Sequence, residues 1–66
     1  MNSRPVIAID AMGGDNAPAS EVSGAVMAAR KWQIPVILVG QSELIEKELA
    51  NQDIQGLDVS VVPASQ

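Results

Sequence analysis

The chain has 66 residues, no cysteine, no histidine, and a net charge of -4 from eight acidic and four basic residues. No disulfide, thiolate ligand or histidine-based relay can be built from it alone, so the reading calls for no metal and no cofactor. Few cations and a single aromatic residue, Trp32, argue against a nucleic-acid partner, which needs basic patches and stacking rings.

The chain is near the lower size limit for a domain that folds alone. Its apolar runs are strand-sized, well short of the roughly 18 residues that span a bilayer. The opening residues, MNSRPVIAID, lack the long apolar core of a signal peptide. These features fit a cytoplasmic, soluble, globular piece.

Pro5 to Ile9 is a short apolar run between a proline and Asp10 and reads as a buried strand. A loop follows over residues 11 to 17. Pro18 suits the first turn of a helix, with Asn16 or Ala17 as its cap. Val22, Ala25, Val26 and Ala29 then fall on one helical face. Arg30 and Lys31 close that helix, where cations suit its dipole, and Pro35 forbids continuation.

Val36 to Val39 is a second strand, apolar at every position and ended by Gly40. Ser42 is positioned to cap a second helix, in which Leu44, Ile45 and Leu49 form the apolar stripe. Gln55-Gly56 turns the chain into a third strand, Val59 to Val62, closed by Pro63.

The order strand, helix, strand, helix, strand implies an α/β fold with a parallel βαβαβ sheet and right-handed crossovers. Two such crossovers running in one direction place both helices on one face. Yet the first two strands are apolar enough for a sheet covered on both sides. The expectation is that residues 1 to 66 are part of one larger domain, or half of a tight oligomer.

Ligands of open parallel sheets bind beyond the carboxyl ends of the strands. Residues 10 to 17, 40 to 42 and 63 to 66 meet at that edge. In the first segment, Gly13 and Gly14 allow positive φ and close approach of backbone N–H groups, and the following helix start favours anions. Two roles are open for the glycine pair: a tight turn alone, or a turn that also holds an anion such as phosphate or an acyl phosphate.

The glycines match neither a dinucleotide fingerprint nor a P-loop. Two roles are open for Asp10: a local bond that fixes the loop's own N–H groups, or direct contact with a ligand. Asp15 belongs to the same edge, where its charge must point away from an anion, bind a cation or accept a hydrogen bond. Met12 either lines a pocket or tucks under the sheet edge. Ser42 and Ser65 read as caps rather than nucleophiles, and Trp32 as a packing residue.

The stretch IAIDAMGGDNAP, then a small-residue helix, then VILVG and VSVVPAS, resembles the amino terminus of the PlsX family of fatty acid and phospholipid synthesis proteins. The core of the resemblance is DAMGGD, Asp10 to Asp15, and the likeness extends over essentially the whole chain. It implies a three-layer α/β/α sandwich related to the isocitrate dehydrogenase and phosphotransacetylase folds, usually a homodimer.

It also implies a phosphate acyltransferase, which moves a fatty acyl group from acyl carrier protein to inorganic phosphate for phospholipid synthesis. Peripheral membrane attachment and most catalytic groups would then lie outside these residues. Asp10, Gly13, Gly14 and Asp15 carry over as the motif at the site edge, with Asn16 beside them as a variable position. Pro63 stands where relatives often have histidine. The alternative class is a non-catalytic nucleotide-binding or regulatory α/β module that acts through assembly.

Overall fold

The computed structural model describes residues 5–64. Three strands, β1 (Ile7–Asp10), β2 (Val36–Gly40) and β3 (Val59–Pro63), alternate with two helices, α1 (Ala19–Trp32) and α2 (Ser42–Leu49). The sheet is parallel, in the order β1-β2-β3. The expected βαβαβ arrangement is therefore present.

Register explains the burial. Ile9, Leu38 and Val61 lie side by side across the sheet, as do Ile7, Val36 and Val59. Val36 and Leu38 of the central strand are completely buried against the helices, with Val22, Ala25, Val26 and Ala29 from α1 and Ile45 and Leu49 from α2. The small side chains of α1 let it lie close to the sheet, and α1 and α2 touch each other. Both helices thus serve one face.

The opposite face carries Ala8, Ile37, Val39, Ser60 and Val62. No described element covers it, and Val62 is 44% exposed. This corrects the reading of β1 as buried. It is an edge strand, with Ile7, Ala8 and Asp10 exposed. Its apolar sequence matches a two-sided core, but these residues supply cover on one side only.

The helix ends also differ from expectation. Pro18 precedes α1 without a side-chain cap, so neither Asn16 nor Ala17 caps it. One backbone carbonyl substitutes: Asn16 C=O accepts from Ser20 N–H at 3.4 Å, while Val22 N–H to Pro18 C=O at 2.8 Å is the first regular helical bond. Likewise Gln41, not Ser42, stands at the cap of α2, and no side chain bonds there. At the far end of α1, Gln33 adopts the left-handed conformation usually given to glycine, and its N–H reaches Ala29 C=O. Ser65 lies outside the described residues.

Candidate functional site

The carboxyl edge of the sheet is shaped by the segment between β1 and α1. Ala11 continues the strand inward: it is fully buried, and its N–H donates to Val39 C=O at 2.9 Å. The chain then turns. Asp10 Oδ1 accepts the Met12 N–H at 3.0 Å, the local loop-fixing bond expected of this aspartate. Met12 is half-buried and sits over Gly40. A Cβ at Gly40 would stand 2.6 Å from Met12 Cγ and 3.2 Å from Ile45 Cδ1. The absent side chain of Gly40 is the space that Met12 uses, so the methionine tucks into the edge.

Gly13 and Gly14 do not use positive φ, which corrects the reason expected for them; only Gly40 and Gly56 among the glycines have it. Their surroundings differ. A Cβ at Gly13 would lie 3.6 Å from Asp10 Oδ2, an ordinary contact. A Cβ at Gly14 would collide with the Glu21 carboxylate. The double glycine therefore passes between two carboxylates, one from the end of β1 and one from the first turn of α1. Glu21 escaped the sequence reading. Its signal was an acid in the first helical turn, one face away from the glycines that precede the helix.

A hollow of about 310 Å³ opens at this edge among Asp10, Met12, Val39, Gly40 and Ala64. Of the five expected site residues, only Asp10 lines it. Gly13, Gly14, Asp15 and Asn16 form the exposed outer part of the same loop. Asp10 is the one charged group of an otherwise apolar hollow, which suits a ligand with both a polar and an apolar part.

The cations among the described residues are remote from this edge. Arg30 and Lys31 lie in the last turn of α1 and Lys47 in the last turn of α2. Arg30 is tied to the Asp53 carbonyl. A larger hollow, about 480 Å³, runs along the outer side of α1 past Gly24, Met27 and Trp32. Trp32 is 58% exposed, so it is not the packing residue expected; Lys31 Nζ lies 5.3 Å from its ring centroid. Among the described residues, no group of three or more acidic side chains is arranged to hold a metal ion.

A family model described as fatty acid synthesis protein matches residues 6–66. The chain belongs to the fatty acid synthesis protein family. Family relatives share much of its sequence. A phosphate acyltransferase of Syntrophotalea carbinolica is 52% identical over all of this chain, which spans 19% of that relative. Phosphate acyltransferases of Geobacter sulfurreducens and Citrifermentans bemidjiense are 57% and 55% identical over 91% of this chain, which spans 17% of each. The chain thus corresponds to under a fifth of the length of these curated family relatives.

Proposed function

We propose that this chain is the amino-terminal segment of a phosphate acyltransferase that transfers a fatty acyl group from acyl carrier protein to inorganic phosphate. The observation that carries the reading is the loop over residues 11–18, set at the carboxyl edge of a parallel sheet within a chain of this family. The relatives' name, phosphate acyltransferase, supports the reaction class.

In this reaction a phosphate oxygen attacks the thioester carbonyl carbon. The carbon–sulfur bond breaks, the carrier leaves as its thiol with the proton released by hydrogen phosphate, and acyl phosphate forms. Backbone N–H groups of Gly13 to Asp15, with the start of α1 behind them, are the part of the anion cradle assigned to this segment. Asp10 holds the loop through Met12 N–H. Asp10, Asp15 and Glu21 give this edge an acidic character, so the counter-charge for phosphate is assigned to the rest of the protein. The full-length protein is placed in the cytoplasm as a homodimer at the membrane surface, where its product is consumed.

The test uses the full-length protein with acyl-loaded carrier protein, following thiol release with and without phosphate and trapping acyl phosphate with hydroxylamine. Phosphate-dependent release with matching hydroxamate is the expected result. Release indifferent to phosphate, or nucleotide binding without turnover, overturns the reading.

A further inference from the structure

Gly14 and Glu21 raise a question that the proposed reaction leaves open. Gly14 has no positive φ, so its backbone conformation does not require glycine. What a side chain at residue 14 would meet is the Glu21 carboxylate, the far end of a flexible side chain, which a larger residue would push aside. Glu21 belongs to the first turn of α1 and is only partly exposed. Its Oε1 is buried without a hydrogen-bond partner. A buried, unpaired carboxylate oxygen is costly, so the side chain is not held there by hydrogen bonding at that atom. Its carboxylate occupies the space that Gly14 leaves.

We propose that Glu21 is a positioning residue for the Gly13–Asp15 turn, setting how far that turn stands from α1 by packing its carboxylate against Gly14. This rests on the acyltransferase reading, in which the same turn holds phosphate. Glu21 itself touches no reacting atom. Its influence passes through the turn, so it should appear in phosphate binding rather than in the bond-making step. The contact is reciprocal. Adding a methyl group at residue 14 displaces the carboxylate, and shortening residue 21 removes it, so both changes abolish the same contact.

The experiment compares Gly14→Ala, Glu21→Ala, the double variant and Glu21→Gln in the full-length enzyme. It reads KM for phosphate, kcat at saturating phosphate, and melting temperature. Each alanine variant should raise KM about fivefold with kcat changed less than about twofold, and the double variant should be no worse than either single one. Glu21→Gln keeps the shape and should stay nearer the parent KM than Glu21→Ala.

An additive double variant, about 25-fold in KM, overturns the proposal, as does a folded Glu21→Ala enzyme with unaltered KM or with the loss confined to kcat. If the parent enzyme shows no phosphate-dependent turnover, the acyltransferase reading fails separately. Glu21 is then judged by melting temperature: non-additive losses keep it as the support of the turn, and additive losses remove it.

Discussion

The two strand-to-helix junctions solve the same geometric problem in different ways. Between β2 and α2 a single residue, Gln41, makes the connection, and Ile45 N–H returns to its carbonyl at 3.0 Å. Between β1 and α1 the chain spends residues 11–18. The topology asks for no more than the shorter junction, since both strands feed helices on the same face. The extra residues of the first junction are therefore not needed to close the fold. They carry one acid, two glycines and a methionine to the edge where ligands of parallel sheets bind. Length beyond the structural minimum marks where this segment has something to present.

The junctions meet at Gly40, and the largest expected effect lies there. Gly40→Val puts a branched side chain against Met12 and Ile45 at a buried position, and should cost about 3 kcal/mol. Thermal or denaturant unfolding of the full-length protein checks it. A loss below about 0.5 kcal/mol would show that Met12 is free to leave and that the two junctions are independent.

Asp10 gives a smaller effect confined to the long junction. Asp10→Ala removes the acceptor for Met12 N–H and should cost about 1 kcal/mol. Asp10→Asn keeps an acceptor oxygen and should cost much less. Melting and phosphate kinetics measured together sharpen the point. A stable but inactive Asp10→Asn protein would move this residue from loop support to contact with the reacting groups.

The smallest effect belongs to the short junction. Ser42→Ala should change stability by less than about 0.5 kcal/mol, because no side chain caps α2. A loss near 1 kcal/mol in the same unfolding experiment would show that the serine does what its position in the sequence suggests.

Most of the architecture was legible because periodicity is a property of the chain itself. Val22, Ala25, Val26 and Ala29 announce the buried face of α1, and all four are buried. The apolar stretches from Val36 and Val59 mark β2 and β3, whose bounds extend the sequence reading by Gly40 and Pro63. What failed depended on relations between segments. A serine or asparagine near a helix start is a cap only if the preceding backbone presents it; here Pro18 and Gln41 stand at the caps without a side-chain bond, and the Asn16 carbonyl rather than its side chain receives Ser20 N–H.

The same holds at the candidate site. Asp10 acts on a residue two positions away, and its bond was readable. Gly14 answers to Glu21, across a turn whose path the sequence does not specify. A glycine pair advertises freedom of backbone angle and absence of bulk equally well. Only the structure shows that neither glycine uses a positive φ and that a side chain at Gly14 would meet the Glu21 carboxylate.

Ala11 has a kinetic consequence. It is fully buried and hydrogen-bonded to β2, and the exposed stretch of the loop begins only after Met12. Any rearrangement of the loop on ligand arrival is then a swing about a pivot seated in the core, not a fraying of β1. Amide exchange would display this as a step along the chain: the Ala11 amide exchanging only with large-scale opening, and those of residues 13–16 exchanging fast. Fast exchange at Ala11 would instead mean that the strand end opens together with the loop.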